Sequence, residues 1–149
     1  MSEDGVARQR LRHLAARHLG LVIPPSHDRR LDQAVTALRG EEPDCGVAAV
    51  EALAGLPWQS EAWQRAIPCL TVGETCFLRQ RAWFDEIERQ VLAPLIDRRR
   101  QFGPRRLRLW SAACATGEEP YSLAMIIDRL LPDRSDWEIT VIGTDINGA

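Results

Sequence analysis

The sequence predicts an all-α N-terminal region followed by the first βαβ unit of an α/β domain. Three observations carry this reading. Up to about residue 70, apolar residues recur at helical spacing in short segments. From Leu107 the pattern changes to an apolar strand, a small-residue turn with one glycine, and an apolar-faced helix. A second apolar strand then follows the Pro132–Asp136 turn.

Leu11, Leu14, Ala15 and Leu19 share one helical face, and Gly20 is placed to end that helix. Leu31, Ala34, Val35 and Leu38 repeat the pattern before Gly40. Asp44 can cap a third helix carrying Val47, Val50 and Ala54, which Gly55 and Pro57 stop. Ser60 can cap a fourth, with Trp63, Ala66, Ile67 and Leu70 inward. These four stripes make residues 1–70 a small helical domain.

Residues 71–149 are expected to hold a linker helix and the start of the α/β domain. The linker helix begins near Gln80 and is expected to bury Trp83 or Phe84, then Ile87, Val91 and Leu95. Pro94 lacks a backbone donor, so a kink or break is expected just before it. Arg98, Arg99, Arg100, Arg105, Arg106 and Arg108 surround a Gly103-Pro104 turn and read as a solvated connector. Strand Leu107–Ala112, a helix from about Glu118 to Leu131, and strand Glu138–Thr144 complete a unit whose strands should be parallel. One such unit cannot cover both faces of a parallel sheet, so the chain is expected to be the front part of a longer protein.

Composition narrows the function classes. The 149 residues are 45% hydrophobic and 27% charged, as in globular proteins. A net charge of −2 gives no reason to expect nucleic-acid or anionic-membrane binding. All 19 basic residues are arginine, which excludes lysine chemistry. Cys45, Cys69, Cys76 and Cys114 lack zinc-like spacing with each other or with His13, His18 and His27, so no metal is expected. No signal peptide or membrane-length apolar run is present, and the free thiols fit a reducing cytoplasm.

The chemistry concentrates at the two strand ends. Ser111, Ala112, Ala113 and Ala115 would let a ligand approach the backbone, and Gly117 allows unusual dihedrals. Thr116 and Glu119 stand at capping-box spacing, and Pro120 suits a first helical turn. Glu118 and Glu119 at a helix N-terminus disfavour phosphate, and neither a Gly-x-Gly-x-x-Gly fingerprint nor a Walker lysine is present. The turn therefore suits a cationic or hydroxyl-rich ligand. Glu118 reads as a helix-dipole residue, whereas position alone leaves Glu119 open between that role and ligand contact. Asp145, ending the second strand, is placed to accept hydrogen bonds from ribose hydroxyls, or else is an ordinary turn residue.

Three blocks, Leu70-Thr-Val-Gly-Glu-Thr-Cys-Phe-Leu-Arg79, Leu109-Trp-Ser-Ala-Ala-Cys-Ala-Thr-Gly-Glu-Glu-Pro-Tyr-Ser-Leu-Ala124 and Gly143-Thr-Asp-Ile146, resemble the CheR-type chemotaxis receptor methyltransferases. These are S-adenosylmethionine-dependent protein-glutamate O-methyltransferases, and the middle block is the most specific of the three. The resemblance implies a Rossmann-like methyltransferase domain acting on the cytoplasmic domain of a methyl-accepting chemotaxis receptor. Thr75, Arg79, Glu119 and Asp145 would then line the cofactor site, with Arg79 also orienting a carboxylate. Where the family usually has an asparagine, this chain has Gly73, which removes a side-chain contact. A carboxylate nucleophile needs no general base, so catalysis would rest on alignment and desolvation. A non-catalytic receptor-binding or regulatory module is the alternative. The cofactor site is expected to be incomplete within these residues.

Overall fold

The computed structural model of the chain describes residues 2–40 and 46–148. Its contacts divide it into two compact units, Met1–Val72 with Asn147–Ala149, and Gly73–Ile146.

In the first unit, α1 (Glu3–Leu19) begins at Ser2, whose hydroxyl accepts the Gly5 N–H at 3.3 Å. It ends at Gly20, which takes the left-handed conformation at φ 69. Its fully buried residues are Ala7, Leu11 and Ala15, while Leu14 and Leu19 are half-buried. The inward stripe therefore lies slightly round the helix from the expected one. In α2 (Asp28–Arg39), Leu31, Ala34, Val35 and Leu38 are all buried, as their spacing predicts. Helix α3 (Gly46–Leu53) buries Val50 and Leu53; the chain leaves the helix before Ala54, which is exposed. The expected Asp44 cap lies outside the described residues. Helix α4 (Glu61–Leu70) is capped by Ser60, whose hydroxyl accepts the Trp63 N–H at 3.5 Å, and buries Trp63, Ala66, Ile67 and Leu70. Arg8 joins α1 to α2 through Asp28 at 3.0 Å and Asp32 at 2.7 Å.

The second unit opens with α5 (Arg81–Ile87), a π-helical turn (Glu88–Leu92) and α6 (Ala93–Phe102). Here the structure refines one expectation and corrects another. The irregularity expected just before Pro94 is a π turn that does not end the helix, with the Ala93 N–H reaching back five residues to the Glu88 carbonyl. A wider turn relieves the clash between a proline ring and the carbonyl four residues earlier. The widening also rotates the following helix face. Phe84, Leu92 and Ile96 are buried, whereas Trp83, Val91 and Leu95 are exposed. A uniform 3.6-residue period misses this because the π turn takes more residues per turn and so shifts the helical phase between Phe84 and Leu92.

Strand β1 (Arg106–Ala112), helix α7 (Glu118–Leu130) and strand β2 (Glu138–Thr144) form the expected βαβ unit. The strands are parallel, in register from Arg106↔Glu138 to Ala112↔Thr144. Leu107, Ile139 and Val141 join Phe84, Leu92 and Ile96, together with Leu123, Ile126, Ile127, Leu131 and Trp137, in one apolar core. The next side chains outward along β1 and β2, Trp110 and Ile142, are exposed.

The arginine connector is largely exposed, as expected, and several of its arginines form surface ion pairs. Arg100 meets Asp133 at 2.6 Å, Arg105 meets Asp136 at 2.7 Å, and Arg106 meets Glu138 at 2.6 Å. The Trp137 indole N–H also donates to Asp133 at 3.3 Å. The hydrogen bond from Arg100, helped by that from Trp137, holds the Asp133 carboxyl down at about 2. These pairs secure the N-terminal ends of both strands, and the candidate site lies at their other ends.

Candidate functional site

The turn after β1 is pinned backbone to backbone. The Ala113 and Cys114 N–H groups both donate to the Thr144 carbonyl, at 2.7 and 3.2 Å. The Ala115 N–H donates to Asp145 Oδ2 at 2.7 Å. This ties the end of β2 to the turn through a side chain the sequence had marked for ligand contact. The turn is strained: Ala113, Ala115 and Gly117 have φ of 65, 47 and 103. For an L residue the left-handed region costs about 1–2 kcal/mol, so the two alanines need external support. Packing supplies part of it. A Cβ on Gly143 would lie 2.9 Å from Cys114 Sγ and 3.0 Å from Pro120 Cγ, so only glycine fits beneath the turn.

The expected capping box between Thr116 and Glu119 does not form. Gly117 occupies the cap position of α7 without a side-chain cap. Thr116 Oγ1 instead donates to Glu118 Oε2 at 2.7 Å, keeping that glutamate on the outer rim. Glu119 turns inward and accepts a hydrogen bond from Ser111 Oγ at 2.6 Å. Ser111 is 2% exposed, at the end of the core-facing row of β1, so its hydroxyl holds one carboxylate oxygen in a set direction. Sequence reasoning valued Ser111 only as a small residue. A hydroxyl in phase with Leu107 and Leu109 on a half-buried strand was the available signal.

The first block is joined to this turn through α7. The Leu78 N–H donates to Ser122 Oγ at 2.9 Å, and Ser122, fully buried, donates in turn to the Glu118 carbonyl at 2.6 Å. Ser122 stands one turn after Glu118, the position of a hydroxyl that bonds back along the helix. Thr75 is half-buried. Arg79 is half-exposed and does not reach Glu119 or Asp145. Its guanidinium donates to the Glu74 carbonyl and lies 4.0 Å from the Glu74 carboxylate. The structure thus pairs Ser111 with Glu119 and Ala115 with Asp145, and leaves Arg79 on its own loop. An added Cβ at Gly73 meets nothing within 4 Å.

The chemistry of this donor set is one-signed. Two carboxylates flank the turn, Glu119 on α7 bonded by Ser111 and Asp145 just after β2 bonded by the Ala115 N–H, with no cation bonded to Glu119 among the described residues. Such a site favours a cation or hydroxyls and repels an anion. Among the described residues no three His, Cys, Asp or Glu side chains are placed to hold a metal. None of the described helices is long and apolar enough to cross a membrane.

Residues 73–149, just over half of the chain, match the family described as CheR methyltransferase, SAM binding domain. The chain belongs to this family. It is 35% identical over 95 residues to a probable chemotaxis protein methyltransferase of Rhizobium etli, covering 64% of this chain and 35% of that protein. It is 40% identical over 83 residues to a chemotaxis protein methyltransferase of Listeria monocytogenes, covering 56% and 29%. Chemotaxis protein methyltransferase 1 of Pseudomonas aeruginosa is 34% identical over 89 residues, covering 58% and 31%. The chain spans about a third of the length of these curated relatives. The cofactor of the matched domain is S-adenosylmethionine, a sulfonium carrying an amino group and a ribose. The acidic, small-residue turn fits that group: it offers carboxylates to cationic and hydroxyl groups and no phosphate cradle.

Proposed function

We propose that this chain provides part of a Rossmann-like S-adenosylmethionine site that serves methylation of glutamate side chains on chemotaxis receptors. The observation that carries this reading is the pair of carboxylates, Glu119 held by Ser111 and Asp145 held by the Ala115 N–H, at adjacent ends of parallel strands. In this reading Asp145 holds the ribose and Glu119 the cofactor's amino-acid end, with Thr75 beside them. Arg79 would leave Glu74 and orient a carboxylate of the cofactor or of the substrate. When bound, S-adenosylmethionine supplies an activated methyl group. The protein's part is to align a glutamate that is already ionised at neutral pH and to strip water from it. No general base is needed, which fits a turn without histidine.

Labelled methyl transfer to a receptor cytoplasmic fragment tests the reaction, with base-labile label as the signature of a glutamyl ester. Calorimetry with S-adenosylmethionine tests the site separately. In a protein carrying this chain together with a complete methyltransferase domain, binding of the receptor fragment without cofactor binding or methyl transfer would favour a non-catalytic receptor-binding or regulatory module.

A further inference from the structure

The face of α6 that the π turn swings outward has no role in the cofactor site. Val91, Leu95 and Phe102 are 53%, 37% and 83% exposed. Leu95, Arg98, Arg99 and Phe102 stand at i, i+3, i+4 and i+7, so they share one side of the helix. With Gly103 and Pro104 they line a surface groove of about 390 Å³. The stem of Arg99 lies across Gly103, whose Cβ would sit 3.2 Å from Arg99 Cδ.

Charge separates this groove from the rest of the arginine run. Arg100, Arg105, Arg106 and Arg108 each face a carboxylate. Arg98 and Arg99 have no carboxylate partner among the described residues. Two uncompensated guanidinium groups beside an exposed Leu and Phe form a surface with two complementary demands. A ligand must bring carboxylates for the arginines and apolar side chains for the groove. A bare polyanion meets only the first demand.

We infer that the outward face of the π turn and α6, from Val91 to the Gly103-Pro104 turn, is a docking surface for an acidic amphipathic protein segment. Its apolar side chains lie against Leu95 and Phe102, and its carboxylates pair with Arg98 and Arg99. This inference is independent of the cofactor site, because none of its residues takes part there.

The test is fluorescence anisotropy of the chain with a labelled amphipathic peptide of Glu, Leu and Phe, and with the same peptide carrying Lys in place of Glu. The acidic peptide binds saturably and the basic one does not. Arg98→Glu with Arg99→Glu weakens binding about tenfold or more, since like charges now meet. Phe102→Ala weakens it severalfold. These positions are exposed or half-exposed, so thermal melting stays that of the parent. The basic peptide tests the charge pairing without altering the protein. Absence of binding, or binding unchanged in both variants, overturns the inference. So does tighter binding of heparin or phosphatidylserine vesicles than of peptide, or a concentration-dependent dimer abolished by Phe102→Ala.

Discussion

Replacing Asp145 by alanine separates two roles that one carboxylate can play. Its Oδ2 accepts the Ala115 N–H at 2.7 Å, and that residue sits at φ 47 with Ala113 at φ 65. Two L residues in the left-handed region store about 2–4 kcal/mol of strain. A hydrogen bond to a charged group contributes about 1.5–3 kcal/mol, comparable to that strain. Asp145→Ala is therefore expected to destabilise the Gly73–Ile146 unit by about 1.5–3 kcal/mol, before any ligand is considered. Adding Ala115→Gly relieves about 1–2 kcal/mol of strain but frees the unfolded chain by about 0.4–1 kcal/mol, leaving a net recovery of roughly 0.5–1 kcal/mol. Urea unfolding measures these differences, and hydrogen exchange at the Ala113, Cys114 and Ala115 amides localises them. The S-adenosylmethionine affinity of the double variant then divides the roles. Affinity that returns with Ala115→Gly assigns Asp145 to holding the turn; affinity that stays low assigns it to the ribose. Stability unchanged in Asp145→Ala, or lowered further by Ala115→Gly, would refute the reasoning.

Four further outcomes follow from the same geometry. Ser111→Ala removes the hydrogen bond that directs Glu119, so calorimetry should register weaker cofactor binding and denaturation a loss of about 1.5–3 kcal/mol. Gly143→Ala forces a Cβ against Cys114 and Pro120, and an overpacking penalty of about 1–3 kcal/mol should appear as a lowered melting temperature. The Asp133 carboxyl is ordinarily near 3.8 and is depressed to about 2, so its contribution is fully present above the unfolded value and lost as pH falls through the folded one. Asp133→Asn should accordingly be less stable than the parent at neutral pH, with the difference closing between about pH 4 and pH 2 in an acid titration followed by circular dichroism. Gly73→Asn has open space around it, so stability should stay within about 0.5 kcal/mol while cofactor affinity rises; a fall in affinity would refute a lining role for that position.

Local rules made much of the architecture legible. The α2 and α4 stripes, the Ser60 cap, the Gly20 stop and the limits of β2 follow from neighbours a few residues apart. The linker helix was misread at Val91 and Leu95 because periodicity assumes one helical pitch, and Pro94 selected another. The capping box failed for a related reason. Thr116 and Glu119 have the right spacing, but the buried Ser111 hydroxyl, eight residues away, supplies Glu119 with a partner from the core.

Periodicity, caps and turn chemistry act over a few bonds, so the helices of the first unit, the βαβ order and the acidic, glycine-containing turn are legible along the chain. Tertiary structure alone decided which carboxylate faces inward, which glycine closes the turn and which face of α6 meets solvent. Each of these depends on atoms brought together from β1, α7 and β2, or on the rotation accumulated along α5 and α6. Spacing in the chain does not encode that proximity; packing creates it.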